Sequence, residues 1–180
     1  MIDRALVDAV LAEAWRRGSH VHGEEHWRCV TATGLELAGD LPGSDPELVF
    51  LFGLLHDTRR ENDRVDPDHG PRAAAFARRL RERDRLQLGE ARLGVLCHAI
   101  ELHADGHVSN DPTVGACWDA DRLHLPRVRI DPDPERFSTS LARGRGRLAA
   151  AASLRAAPPT WAELVDELGR RAGPGSSPAV

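Results

Sequence analysis

The chain has 180 residues, which is long enough to bury one hydrophobic core and suits a domain of ordinary size. Hydrophobic residues make up 41% and charged residues 29%, and the formal net charge of -4 argues against broad binding to nucleic-acid backbones. All 24 basic residues are arginine, which excludes lysine Schiff-base chemistry. Any cation that holds an anionic group must therefore be an arginine or a metal.

The three cysteines, Cys29, Cys97 and Cys117, form no CxxC pair, so we expect free thiols in a reducing compartment. The N-terminal segment lacks the basic and then apolar order of a secretory signal. The longest apolar run, 48–55, is too short to span a bilayer. These features predict a cytoplasmic protein without a membrane partner.

Helical periodicity dominates the chain, and no segment shows the alternation typical of a strand. The hydrophobic spacing predicts helices over 2–17, 24–38, 46–57, 70–84, 88–103, 112–125 and 159–171. The charged segment 58–68 is expected to be a loop, and the prolines of 126–136 predict irregular structure. We expect a single domain over 1–172 and a loose C-terminal tail over 173–180.

The third predicted helix has the strongest start signal, with Asp45 as N-cap and Pro46 at the first helical position. Its residues 48–55 are apolar on all sides, as in a helix at the centre of a bundle. It ends at His56 and Asp57, so the most buried element delivers two polar side chains.

Burying such a pair is costly without a counter-charge, which a divalent cation would supply. Imidazole nitrogen and carboxylate oxygen are both common metal ligands. A bare His-Asp pair is also compatible with a simple helix end, so the metal interpretation depends on the segments elsewhere in the chain.

Three segments follow one another in the order H…HD…D. They are His26-Trp27-Arg28-Cys29-Val30, the doublet His56-Asp57, and Ala120-Asp121-Arg122-Leu123. Over about 20–130 this arrangement resembles the HD-domain superfamily of metal-dependent phosphohydrolases. The resemblance implies an all-α, HD-domain-like antiparallel bundle of five or six core helices. It also implies one divalent metal, with the ligands His26, His56, Asp57 and Asp121.

By the same resemblance, we expect hydrolysis of a small phosphate ester, with a nucleotide phosphomonoester as the expected substrate. The mixed ligand set suits Mn, Fe, Co, Ni, Zn or Mg and does not choose among them. The partner would be a small phosphorylated metabolite or nucleotide, not a polymeric nucleic acid. Arg59, Arg60 and Arg72 are nearest to the doublet and are the candidate phosphate contacts.

The chain departs from the family pattern at the proton donor. Many hydrolytic members continue the doublet as HDxxE, whereas Arg60 holds the glutamate position here and Glu61 follows it. Asp57 is a candidate catalytic residue because it could orient the attacking water. Glu61 and His69 are the other two candidates, because a loop leaving the doublet must pass the pocket rim. Two histidines of the fifth predicted helix, His98 and His103, are candidate substrate contacts.

Three alternatives stay open. His69, His98 and His103 follow the doublet in the order seen in members with a second metal, and a di-iron branch of the superfamily oxygenates its substrate. His22-Gly23-Glu24-Glu25-His26 also matches the inverted zinc-protease motif HxxEH. The third alternative is a non-catalytic HD-type binding domain.

Overall fold

In the computed structural model, which describes residues 2–171, helices account for all the regular secondary structure. The described range forms eight α-helices: α1 Arg4–Glu13, α2 Glu24–Gly39, α3 Pro46–Leu55, α4 His69–Glu82, α5 Glu90–Leu102, α6 Pro112–Arg122, α7 Arg147–Ala156 and α8 Trp161–Arg171. Two 3-10 turns, Leu125–Val128 and Pro134–Arg136, follow α6. The predicted all-α class is confirmed. The predicted tail over 173–180 lies outside the described residues, and the single-domain organisation stays a prediction.

Helix α3 forms the centre of the bundle, and every residue from Leu48 to Leu55 is buried. It packs against α2, α5 and α6, with α1, α4 and α8 making smaller contacts. The Asp45 carboxylate caps the helix by accepting from the backbone N–H groups of Glu47 and Leu48. A helix that is apolar on all sides is thus surrounded by other helices, as its composition predicts.

Two glycines allow close helix contacts beside the doublet and His69. A Cβ at Gly53 would lie 2.2 Å from Thr31 Oγ1, so α2 and α3 can approach only because this side chain is absent. A Cβ at Gly70 would lie 2.6 Å from the Glu101 carbonyl oxygen. Any larger residue at position 70 would push the start of α4 away from the end of α5.

The structure differs from the predicted elements at both ends of the chain. Helix α1 ends at Glu13 because Ala14 is extended and the Trp15 backbone N–H donates to the Thr58 carbonyl, 3.0 Å away. Helix α7 was not predicted, since Ala151 is its one buried residue and its apolar pattern is weak. No helix of residues 2–171 is long and apolar enough to cross a membrane.

Candidate metal centre

Six histidine and aspartate side chains converge from five helices, all of them at or near helix ends. They are His26 in the first turn of α2, His56 and Asp57 after α3, His69 at the start of α4, His103 after α5 and Asp121 in the last turn of α6. Antiparallel neighbours place the start of one helix beside the end of the next. Residues far apart in sequence therefore meet in one place.

The first donor set consists of His26, His56, Asp57 and Asp121. The Nε2 atoms of His26 and His56 lie 3.3 Å apart, and each lies within 3.8 Å of Asp57 Oδ2. Asp121 Oδ1 is 3.2 Å from His26 Nε2 and 4.0 Å from His56 Nε2. The side chains predicted as metal ligands are therefore neighbours, with two nitrogens and two carboxylates facing one point.

The second donor set consists of Asp57, His69 and His103. Asp57 Oδ1 lies 3.3 Å from His69 Nε2 and 3.7 Å from His103 Nε2, and the two ring nitrogens are 2.9 Å apart. Both three-residue groups, His26 with His56 and Asp57, and Asp57 with His69 and His103, keep their ligand atoms within 4.8 Å of one another. The two oxygens of Asp57 thus serve different sets.

Backbone carbonyls fix the orientation of three of the histidine rings. His56 Nδ1 lies 3.1 Å from the Gly53 carbonyl, His103 Nδ1 lies 2.7 Å from the Ile100 carbonyl, and His69 Nδ1 contacts the carbonyl of Asp66. A ring that donates from Nδ1 presents Nε2 to its other neighbours. In all three residues, Nε2 is the atom that faces Asp57.

Burial sets the protonation of most of these groups. It holds the pKa of His26 well below its usual value, with the charge of Arg127 acting in the same direction, and it lowers the pKa of His56. It lowers the pKa of His69 to about 4. His103 is the exception: burial lowers its pKa, but the hydrogen bond to Asp57 and the charges of Asp57 and Asp121 together raise it above the usual value. Neutral imidazole is the form that binds metals.

The first donor set fits a divalent metal on two further observations. Asp121 Oδ1 is a buried polar atom without a hydrogen-bond partner of acceptable geometry among the described residues, although His26 Nε2 lies 3.2 Å away. A buried carboxylate oxygen without a partner is costly, and a cation beside it would remove that cost. Two imidazoles and two carboxylates are also a donor chemistry that divalent transition metals accept.

Beside the two sets lies a cavity of about 650 Å³. Its lining includes Asp57, Asp121, His69 and His103, together with four arginines: Arg60, Arg122, Arg127 and Arg136. An apolar part of the wall comes from the segment after α6, with Leu125, Val128, Ile130 and Pro132. The cavity therefore combines metal-type ligands, fixed positive charge and an apolar wall, within the size range of small-molecule sites.

Sequence reasoning considered His22 as a ligand only in the zinc-protease alternative and did not place Arg127 at the metal site. His22 Nδ1 lies 3.1 Å from Asp57 Oδ2, and the Arg127 guanidinium lies 3.2 Å from the same ring nitrogen. Arg127 Nη1 is also 3.8 Å from Asp121 Oδ1. His22 lies in a turn before α2 and Arg127 in the 3-10 turn Leu125–Val128 after α6, so no amphipathic pattern marks either residue. The position of His22 four residues before His26 is the one signal that the sequence carries.

Two of the expected phosphate contacts lie outside the cavity lining. The Arg59 guanidinium packs 3.6 Å from the ring centre of Phe76 and 5.1 Å from that of Trp15, which directs it away from the metal centre. Arg72 donates to Asp66 Oδ1 at 2.6 Å and to the Arg59 carbonyl at 3.1 Å. Sequence proximity to the doublet did not show that Arg59 packs on aromatic rings and that Arg72 holds the loop.

Glu61 and His98 also differ from their expected places. The Glu61 side chain is 62% exposed and lies outside the cavity lining, because its backbone N–H is turned toward Asp66. His98 is exposed on α5, beside the Trp118 ring, whereas His103, five residues further on, faces Asp57. Among the other residues predicted to act at the site, Arg60, His69 and His103 do line the cavity.

The positions of Asp119, Asp121 and Glu25 are relevant to the choice of aspartate ligand and to the zinc-protease alternative. Asp119 is buried and accepts from the backbone N–H groups of Ser138 and Thr139, so it holds the segment after α6, while Asp121 faces the histidines. Glu25, the residue that a zinc-protease motif would use as its base, is exposed on α2. The protease alternative therefore lacks its carboxylate at the site.

Comparisons with known proteins agree with this geometry. A crystal structure at 1.45 Å resolution of a predicted HD superfamily hydrolase from an uncultured Thermotogales bacterium is similar in fold, with a TM-score of 0.61. The two chains are 22% identical, and the match covers 94% of this chain and 92% of that one. No curated protein matches the chain. The family model of the HD domain matches residues 23–125, and the chain therefore belongs to the HD domain family.

Proposed function

We propose that the chain is a metal-dependent phosphohydrolase that acts on a small phosphomonoester in the 650 Å³ cavity. Membership of the HD family supports this chemistry in general. The single observation that carries the proposal is that the two carboxylates of the first donor set, Asp57 and Asp121, line one cavity together with fixed arginines. Donors for a cation and arginines for an anion are the two components that phosphoryl transfer requires.

The first donor set would hold one divalent metal through His26, His56, Asp57 and Asp121. Such a metal would polarise a phosphoryl oxygen and supply a nucleophile near neutral pH. The protein holds the ligands in place: His56 is tied to a backbone carbonyl, and Asp57 is fixed between the histidines of both sets. Asp57 stays ionised because the nearby histidines, despite its burial, hold its pKa well below the usual range.

The arginines of the cavity would bind the phosphate. Arg127 stands beside Asp121 and Arg60 beside Asp57, so the two guanidinium groups flank the donor sets. Arginine offers five N–H donors, and the contacts within the chain leave N–H groups for a ligand. Arg59, Arg72, Glu61 and His98 have no role in this proposal because none of them lines the cavity.

The organic part of the substrate would lie along the apolar wall after α6. A nucleotide is the finer expectation from the sequence, and the cavity is large enough to hold one by the usual sizes of such sites. No Trp or Phe side chain lines the cavity in the described part of the chain, so base stacking on such a ring has no support. We therefore propose a small phosphomonoester as the substrate class and leave the nucleotide as one member to be tested.

The proposal is tested by metal analysis and by phosphate release. Purified protein stripped of metal would be assayed with Mn²⁺, Co²⁺ or Mg²⁺ on nucleotide, sugar and alkyl phosphomonoesters. We expect activity only with metal, and His56→Ala or Asp121→Ala should lose both metal and activity while keeping the helical circular-dichroism spectrum.

The matched control is His98→Ala, an exposed histidine outside the cavity, which should retain metal and activity. Phosphate release that persists without metal would contradict the proposal. So would full metal content in Asp121→Ala together with loss of metal in Asp119→Ala.

A further inference from the structure

The second donor set contains a positive charge supplied by the chain itself. Arg60 Nη1 lies 3.1 Å from His69 Nε2 and 3.4 Å from Asp57 Oδ1. These are the same two atoms that a second metal would use. The Arg60 side chain is 9% exposed, so its charge stands inside the protein rather than in solvent.

Backbone contacts hold this guanidinium in place. Arg60 Nη2 donates to the Arg64 carbonyl at 2.8 Å, and Nε donates to the Asn62 carbonyl at 3.4 Å. Both carbonyls belong to the loop that follows the doublet. For Arg60 to leave the second set, it would have to break these contacts and leave polar groups without partners.

The two donor sets differ in how their polar atoms are satisfied. In the first set, the carboxylate oxygen Asp121 Oδ1 lacks a hydrogen-bond partner of acceptable geometry among the described residues. In the second set, His69 and His103 have partners on both ring nitrogens, and no atom of either is among the unpaired buried atoms of the described residues. The first set therefore contains a buried carboxylate oxygen that a cation would pair, whereas the corresponding atoms of the second set already have partners.

We propose that Arg60 takes the place of a second metal, so that the protein binds one metal per chain. The residue stands where many family members carry the glutamate of HDxxE, and the exchange reverses the charge at this position. A dication beside Asp57 Oδ1 would meet a buried guanidinium at about hydrogen-bond distance. This inference rests on the proposed function for the first metal, and it removes the di-iron oxygenase alternative, which needs both sets.

The test counts metals instead of turnover. Metal-free wild-type protein and Arg60→Gln would be titrated with Mn²⁺ by calorimetry, and the Mn²⁺ retained after gel filtration would be measured. We expect one Mn²⁺ in the wild type and two in Arg60→Gln, with second-site affinity at least about a hundredfold higher in the variant, which repulsion between close cations in a protein can supply. Electron paramagnetic resonance should show coupled Mn²⁺ ions in the variant alone.

Three controls separate charge from other effects. Arg60→Lys, which keeps the positive charge, should stay at one metal, as should Arg136→Gln, which removes a cavity arginine away from both sets. The double variant Arg60→Gln, His103→Ala should return to one metal. If Arg60→Gln does not fold, Arg60→Met serves in its place.

Two metals in the wild type, or one metal in both Arg60→Gln and Arg60→Met, would overturn the inference and leave the proposed function intact. A wild type that binds no metal would overturn the proposed function, and this inference with it.

Discussion

At the scale of single residues, Arg127 shows how the fold prepares a charge for a ligand. Its Nε donates to the Val21 carbonyl and its Nη1 to the His124 carbonyl, both at 3.0 Å, and its side chain is 12% exposed. Burial lowers the pKa of Arg127, and the neighbouring Asp121 and Asp57 oppose that effect. An arginine held in this way would lose little conformational freedom on binding the proposed phosphate.

Arg127→Gln is therefore expected to raise KM for a phosphomonoester by roughly ten- to a hundredfold, the equivalent of one charge-assisted contact of about 1.5–3 kcal/mol. Steady-state kinetics with competitive inhibition by inorganic phosphate would measure it. Arg59→Gln is the matched control and should change KM by less than about twofold, because Arg59 packs on Phe76 outside the cavity. Equal increases in KM for the two variants would contradict a specific role of Arg127 in binding the phosphate.

At the scale of elements, the loop 58–68 is closed by the ion pair between Asp66 and Arg72, while a second pair joins its Asp63 to Arg16. Asp66 accepts from Arg72 at 2.6 Å and from the Glu61 backbone N–H at 2.8 Å, and its carbonyl contacts His69 Nδ1. Arg72 also donates to the Arg59 carbonyl. The pair thus closes the loop that carries Arg60 and orients the His69 ring, although neither partner lines the cavity.

Arg72→Gln should loosen this loop and leave the Asp66 carboxylate, 5% exposed, without its cation. We expect a loss of about 1–3 kcal/mol in the free energy of unfolding, the usual cost of an unsatisfied buried group, measured by urea denaturation. Hydrogen exchange of residues 59–66 should become faster. The control is Arg78→Gln, which replaces another arginine of α4 and breaks its exposed pair with Glu101 of α5; it should leave both measurements unchanged. A loop equally protected in both variants would contradict this role.

At the scale of the whole molecule, the first donor set connects α2, α3 and α6 at their ends. A ligand that binds the folded state alone stabilises it, by about 2.7 kcal/mol at a hundredfold excess over Kd. For a chain of this size that corresponds to a rise in Tm of roughly 5–10 °C. Metal should therefore stabilise the entire bundle and not only the cavity.

Thermal unfolding followed by circular dichroism, with Mn²⁺ and with a chelator, would measure this shift. We expect the rise in Tm for the wild type and for His98→Ala, whose histidine is exposed on α5. His56→Ala should lose it, because it removes a buried ligand. A rise of the same size in His56→Ala would place the stabilising metal elsewhere on the protein.

The sequence by itself determined the helical class, the central buried helix and the order of the family motif. These features are local: hydrophobic spacing, an N-cap with a proline after it at Asp45, and short segments such as His56-Asp57 that need no partner to be recognised. The sequence did not determine where helices end, because contacts between residues far apart in sequence set those positions. The end of α1, for example, is set by the contact between Trp15 and Thr58. Helix α7 was missed because its burial depends on packing against α2 and not on its own pattern.

Only the tertiary structure decided which charged side chains face the cavity. From the sequence alone, Arg59, Arg60 and Arg72 are equally good candidates for a phosphate contact. In the structure Arg59 packs on aromatic rings, Arg60 reaches Asp57, and Arg72 closes a loop. Arg127 and His22 come to the site from segments that no periodicity marks. The physical reason is that a long polar side chain in a loop is directed by whichever partner the fold brings near it, and those partners lie far away in sequence.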